Sequence, residues 1–309
     1  MSMDSLKEEV SVKKIHPLAI AGMVMAFVPL FNCFAFPVSI IALVRTRNND
    51  LEYKGIGLCI AALSVSLITF ALMIPVIQLV VLPKLADAKR NIWAIQSIDN
   101  QRGIGVVYTQ YLGDNEGWYP VVQAAAGVGG KQGDSLDGGM RPLPDAVSRI
   151  YGTKVPAKER PLNKYVGNLE IFHDPADVGS GKNGPSLPHN VRHNVHSNWE
   201  SFGNSYQPQV ADDMFRVKRV QGIKTGKEGS YEATSLHEQE IAKSPANKII
   251  QGDWNWPYDP DDAWYGRKYN ANHIMLSGDG HAGEFVFPPS TTMTNWHLKP
   301  APDPKFNWW

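Results

Sequence analysis

Residues 56–83 read IGLCIAALSVSLITFALMIPVIQLVVLP, from Ile56 to Pro83, without one Asp, Glu, Lys or Arg. About 20 apolar residues in a helix cross a hydrocarbon core of about 30 Å. Core helices of soluble proteins rarely run so far without a charge, so this stretch reads as a membrane span. Pro75 lies inside it, and a bilayer helix tolerates such a proline with a kink.

Upstream, residues 17–44 are also uncharged but are interrupted by Pro29, Asn32 and Pro37. Two readings compete: a tilted or kinked span, or a re-entrant hairpin of two short halves. We favour the span, which makes residues 17–83 a two-span anchor behind a polar tail, residues 1–16. The apolar run is too long for a cleavable signal peptide, and no small-residue cleavage site follows it. The loop between the segments carries Arg45, Arg47 and Lys54. With two spans, the tail and the downstream chain share a side bearing Lys7, Lys13, Lys14, Lys84, Lys89 and Arg90, and counting basic residues keeps that side inside. With a re-entrant first segment, tail and loop are cytoplasmic and the downstream chain is outside.

After Pro83 the pattern changes. Leu85, Ala88, Ile92 and Ile95 recur at steps of three and four, and Val107, Tyr108 and Tyr111 resume that spacing beyond Gly103 and Gly105. This predicts an amphipathic helix over residues 84–112, packing its apolar stripe on the domain that follows. That domain, residues 113–287, reads as α+β. Residues 121–145, rich in Gly, Ala, Asp and Gln, read as a long flexible loop. A short helix is expected around Pro144–Tyr151, a polar loop over 178–200, and strands at Phe215–Val220, Lys248–Gln251, His273–Ser277 and Glu284–Phe287. Asp279-Gly280 is a hairpin turn, since glycine supplies a positive φ. The expected fold class is therefore a transmembrane helical hairpin, then a long amphipathic helix laid on a small antiparallel sheet. Residues 288–309 read as an extended tail whose closing Trp308-Trp309 docks on the head or at the membrane interface.

The whole chain bounds this reading. Its 309 residues hold 30 basic and 30 acidic side chains, so nothing in the balance calls for nucleic acid. The two cysteines, Cys33 and Cys59, lie in apolar segments, so the head has neither a disulfide framework nor a thiol metal site. The head is long enough to bury a core.

A family resemblance follows from several motifs in order. They are Pro83-Lys-Leu-Ala-Asp-Ala-Lys-Arg90, Asn100-Gln-Arg-Gly-Ile-Gly105 and Asp114-Asn-Glu-Gly-Trp-Tyr-Pro120, then Arg160-Pro-Leu-Asn-Lys-Tyr-Val166 and Glu170-Ile-Phe-His-Asp-Pro-Ala-Asp177, and finally Gly203-Asn-Ser-Tyr206 and Asn272-His-Ile-Met-Leu-Ser-Gly-Asp-Gly-His281. Together they resemble bacterial prepilin-type, general-secretion-pseudopilin-like proteins of the His…Asp-Gly motif group, over about residues 56–290. The first 67 residues resemble a small two-span domain of unknown function that bacteria fuse ahead of other modules. The resemblance implies a structural protein of the bacterial inner membrane, related to type II secretion components. Its head would be extracytoplasmic, and its partners would be membrane lipid and other pilin-like subunits, itself included. Ser66 stands where that family keeps a membrane glutamate, Tyr269 where it has a histidine, and Asp174 where it has a cysteine. No Gly-Phe-Thr-Leu-x-Glu junction is present, so neither leader cleavage nor pilus assembly is implied.

Candidate chemistry is sparse. His189, His193 and His196, with His173, Asp174 and Asp177 upstream, have a spacing that suits zinc or copper, set against the reading of a solvated, Asn-rich loop. Asp253, Asp259, Asp261 and Asp262 lie among Trp254, Trp256, Tyr258, Trp264 and Tyr265. Such oxygen ligands suit calcium, and the rings suit a flat glycan platform, although core packing is the usual fate of Trp. Some secretion pseudopilins hold calcium in a C-terminal loop, which supports the calcium reading by analogy. The P-loop and dinucleotide patterns fail at their glycines, and there is no Gly-x-Ser-x-Gly elbow and no His-Glu-x-x-His. Asp177, Asp279 and His281 fall where the family has structural turns. We therefore expect no enzyme.

Overall fold

A computed structural model of the chain describes residues 14–28, 31–48, 53–137, 139–179, 197–208, 216–224, 233–254, 256, 264–265, 272–287 and 301–309. The chain divides into two compact units, Met1–Ala88 and Lys89–Trp309.

The first unit opens with β1 (Lys14–Ile15), followed by helices α1 (Pro17–Phe27) and α2 (Asn32–Asn48). Then come β2 (Tyr53–Lys54), paired in parallel with β1, and α3 (Ile56–Val76). His16 caps α1 by accepting from the Leu18 amide, and Pro17 takes the first helical position, where its missing N–H costs nothing. The single span preferred for residues 17–44 is thus two helices. The break falls between Phe27 and Asn32, and Pro37 is accommodated inside α2. α3 runs through Pro75, which cannot donate to the preceding turn, into a π-helical turn, Ile77–Val81. The helix then continues as α4 (Leu82–Asp114). From Ile56 to Asp114 the 59 residues are continuously helical, long and apolar enough in their first part to cross a membrane.

Packing in this unit is inverted relative to a soluble protein. The buried positions are small or polar: Ala19, Gly22 and Ala26 on α1, Ala35, Ser39 and Ala42 on α2, Cys59, Ala62 and Ser66 on α3. The large apolar side chains, among them Ile20, Phe27, Phe34, Ile41, Leu67 and Phe70, point outward. Small residues let helix backbones approach closely, as in membrane bundles. A Cβ added at Gly22 would fall 2.4 Å from Ser39 Oγ.

The second unit is mixed helix and sheet. β3 (Val121–Val122) leads to α5 (Asp145–Tyr151), α6 (Asn198–Phe202), β4 (Tyr206–Pro208) and β5 (Gly222–Ile223). After α7 (Glu238–Ile241) come β6 (Ile249–Asp253), β7 (Asn272–Ser277) and β8 (Ala282–Val286). An antiparallel sheet has the order β4-β6-β7-β8, and β3 pairs in parallel with β5. The expected helix near Tyr151 is α5, closed by Gly152 at φ 68°. The expected β7–β8 hairpin turns at Asp279-Gly280, with Gly280 at φ 83°. Ile104 and Tyr108 of α4 join Leu162, Phe172, Trp199 and Leu276 in the main core.

Three expectations are corrected. Only the later part of the expected α4 stripe faces the core: Val107 and Tyr108 are buried in it and Tyr111 packs against it, whereas Leu85, Ile92 and Ile95 are 59%, 57% and 60% exposed. The buried face is Ala94, Ser97, Gln101, Ile104, Gly105, Val107 and Tyr108, small or polar in its first part and apolar in its last. Residues 124–130 of the supposed flexible loop are buried, because their small side chains let the segment enter the core. In place of a strand over 215–220, the described residues 216–220 form no strand, and β5 follows them. At the end of the chain, Trp309 docks on the head. Its amide donates to the Asn247 carbonyl at 3.0 Å, and its carbonyl accepts from the Ile249 amide at 3.0 Å, extending the backbone pairing of β6.

Candidate functional site

A seam of buried polar side chains joins α4 to the sheet. Gln101 Nε2 donates to the Ile274 carbonyl at 3.5 Å, and its Oε1 accepts from Gln251 Nε2 at 2.8 Å. Tyr108 OH donates to Gln251 Oε1 at 3.1 Å and accepts from Gln221 Nε2 at 2.8 Å. Nearer the start of the unit, Ser97 Oγ donates to Asp174 Oδ2 at 2.6 Å and lies 3.2 Å from Tyr206 OH. Asn100 Nδ2 donates to the His173 carbonyl at 2.9 Å. Such bonds are directional, so they set the rotation of α4 about its axis more tightly than apolar contact does.

Two of the motifs interlock around two aspartates. Asp174 is fully buried and also accepts from Tyr265 OH and from the Ala176 amide, the latter at 2.8 Å. Loss of solvent pushes its carboxyl up to about 7, and the nearby charge of Asp253 adds to this, while the bonds from Ser97 and Tyr265 pull the other way. Asp177 caps α6: Oδ1 accepts the Asn198 amide at 2.9 Å and Oδ2 the Trp199 amide at 2.7 Å. Asp177 also takes the Gly179 amide and the hydroxyls of Ser197 and Ser205. In Gly203-Asn-Ser-Tyr206 each residue has a local task. Gly203 ends α6 at φ 81°, where an added Cβ would sit 1.8 Å from the Lys131 carbonyl. Asn204 Oδ1 accepts the Tyr206 amide, Ser205 reaches Asp177, and Tyr206 OH accepts from Asn100 Nδ2 at 3.3 Å.

Arg160 is buried and donates to five backbone carbonyls: Val155, Ala126, Gly129, Gly203 and Phe202. Burial brings its guanidinium down to about 10, which leaves it charged at neutral pH. Asn163 completes the clamp by accepting the Gly130 amide at 2.8 Å and donating to the Gly130 carbonyl at 2.7 Å. The sequence reading placed Asp177 at a structural turn but missed Arg160 and Asp174 as organising groups. Their signal was an ionisable residue inside each motif.

The residues singled out from sequence are placed as follows. Asp253 ends β6 with no exposure, its carboxylate held by His273 Nδ1 and by the Ile274 amide at 3.1 Å on β7. Both its oxygens are therefore engaged within the core. Asp259, Asp261, Asp262 and Tyr258 lie outside the described residues, as do His189, His193 and His196. Among the described residues no group of three His, Cys, Asp or Glu side chains is arranged to hold a metal ion. Trp254, Trp256 and Tyr265 are buried in three separate apolar clusters, so these three rings form no exposed platform. Asp279 and His281 make a local turn: Asp279 Oδ1 accepts the His281 amide at 3.1 Å and pairs with its Nδ1 at 2.5 Å. The buried Asp174, Asp253 and His273 have acid–base character but no contact with solvent. An open cleft of about 780 Å³ beside the end of α4, lined by Tyr111, Asp114, Trp118, Glu159 and Lys224, holds no such set.

No protein-family model matches this chain, and no curated protein or solved structure is significantly similar to it.

Proposed function

We propose that this chain is a membrane-anchored structural or interaction protein of the bacterial envelope, with a pseudopilin-like head in an extracytoplasmic position, and not an enzyme. The observation that carries the reading is the unbroken helix from Ile56 to Asp114. Its first part turns large apolar side chains outward, as a lipid-facing helix does, and its last part is held to the sheet by buried hydrogen bonds. A rod so fixed at its soluble end presents Leu85, Ile92 and Ile95 in the open, a face suited to packing against another pilin-like subunit or a second copy.

The ordered motifs around Asp174, Asp177 and Gly203 support the same reading, because their side chains are spent on internal bonds. Carbonate extraction of membranes, followed by crosslinking in mild detergent, tests it. The chain should stay in the membrane fraction and crosslink into higher species. A carbonate-soluble chain removes the anchor, and a strict monomer without partners removes the assembly role.

A further inference from the structure

β1 and β2 lie side by side in parallel, Lys14 against Tyr53 and Ile15 against Lys54. Between them the chain leaves along α1 and returns along α2. Ala19 clusters with Ala42, and Gly22 packs on Ser39, so the two helices run antiparallel over a seam of small residues. Whatever its depth, an excursion that brings residue 53 back beside residue 15 makes no net crossing of a bilayer.

The depth has its own marker. Asn32, the first residue of α2, lies at the hairpin turn. Its Oδ1 accepts from Ser66 Oγ at 2.7 Å, and its Nδ2 donates to the Ser66 carbonyl at 3.2 Å. Ser66 is the middle residue of the 21 in α3, about 15 Å from its start at the rise of an α-helix, which is half of an about 30 Å hydrocarbon core. α1, with 11 residues, is about 17 Å long and also reaches only half-way. The polar atoms of Asn32 and Ser66 satisfy each other at that depth, as a membrane interior demands. At the opposite end of the hairpin, Lys14, Arg45 and Arg47 are exposed, the placement expected at a phosphate-rich headgroup layer.

We infer that α1 and α2 form a re-entrant hairpin that inserts among the acyl chains of one leaflet, its turn meeting Ser66 at the bilayer midplane. The chain then crosses once, through α3. The tail before α1 and the loop before α3 share one face, and the residues after α3 emerge on the other. Lys7, Lys13, Lys14, Arg45, Arg47 and Lys54 outnumber Lys84, Lys89 and Arg90 near the membrane, so the tail and loop are on the cytoplasmic side. This rests on the membrane-anchor reading above.

The test uses the full chain in right-side-out and inside-out vesicles, with a membrane-impermeant maleimide as probe. The chain with only its native cysteines is the control. Lys14→Cys and Asn48→Cys should label from the cytoplasmic side alone, and Gln110→Cys from the other side alone. Lys14→Cys and Asn48→Cys labelling from opposite sides would overturn the hairpin, as would Gln110→Cys labelling with Lys14→Cys. A nitroxide at Val28→Cys, in the Cys33→Ala, Cys59→Ala chain, gives the depth. It should sit near the midplane, and a nitroxide at the far headgroup layer sinks the re-entrant geometry. Carbonate-soluble protein would instead remove the anchor reading itself, so the two failures are distinguishable.

Discussion

Arg160 Nη1 donates to the Gly129 carbonyl at 2.8 Å, across 31 residues of chain, in a pocket where it meets four further carbonyls. A single cation thus gathers backbone from residues 126–129, 155 and 202–203. The Gly203 carbonyl also accepts from the Lys131 amide at 3.0 Å, but the buried carbonyls of Ala126, Gly129, Val155 and Phe202 rely on the guanidinium for a side-chain donor.

Arg160→Met should therefore destabilise the folded head by about 3 kcal/mol or more, through orphaned carbonyls rather than lost charge pairing. Arg160→Lys should also be destabilising, since an ammonium cannot copy a planar fork with several directions. Urea unfolding of the full chain in detergent, followed by tryptophan fluorescence, measures both. Losses below about 1 kcal/mol in both variants would contradict the clamp.

Asp174 makes a pH-dependent contribution of definite sign. Its folded value of about 7 lies above the ordinary carboxylate value near 4, so the folded chain holds the proton more tightly than the unfolded one. Its contribution is greatest below about pH 4, falls as pH rises towards 7, and is constant above that. The total fall is a few kcal/mol at most. Asp174→Asn, which cannot ionise, should flatten the decline in melting temperature between pH 4.5 and 7. Parallel curves for wild type and variant would rule out Asp174 as its cause.

Local signals made part of this fold legible. The β7–β8 hairpin is set by two short apolar runs about the Asp279-Gly280 turn, and α5 by a proline before it and a glycine after it, all local in sequence. Val107 and Tyr108 were legible as the inward face of α4 from their hydropathy, but its first part was not. Ser97 and Gln101 are polar, and they face inward only because Asp174, Tyr206, Gln251 and Ile274 supply partners 77 to 173 residues away. The alanines and glycines of 124–130 looked like flexible loop for a similar reason, since Arg160 and Asn163 lie well downstream. In the first unit the usual rule reverses, and hydropathy alone could not say that Ala, Gly and Ser would be inside and Phe outside.

Glycine tests this packing by contrast within one chain. Gly203→Ala meets both a positive φ of 81° and a Cβ position 1.8 Å from the Lys131 carbonyl, so it should cost about 2 kcal/mol or more. Gly113→Ala lies near the end of α4 with nothing within 4 Å of the added carbon, and should be neutral or stabilising by up to about 1 kcal/mol. Equal effects in thermal melts would show that the Gly203 turn is not strained by a side chain.

Asp253 separates structural from metal-binding roles. Because His273 and the Ile274 amide take up its carboxylate, Asp253→Ala should lower the melting temperature and leave His273 without its buried partner. Calcium or a chelator should shift wild type and variant alike. A calcium-dependent rise in melting temperature seen in wild type and lost in Asp253→Ala would restore this residue as a ligand.

The exposed face of α4 gives a test of function that is independent of folding. Ile92 and Ile95 are 57% and 60% exposed, so charge at these positions removes little buried surface, and Ile92→Glu or Ile95→Glu should change stability by no more than about 0.5 kcal/mol. If this face packs against a neighbouring subunit, each carboxylate would be desolvated in the contact, and crosslinked species should fall several-fold while the monomer melts as before. Wild-type crosslinking in both isoleucine variants would move the contact surface elsewhere on the head, because an ion buried beneath a neighbouring subunit could not be silent.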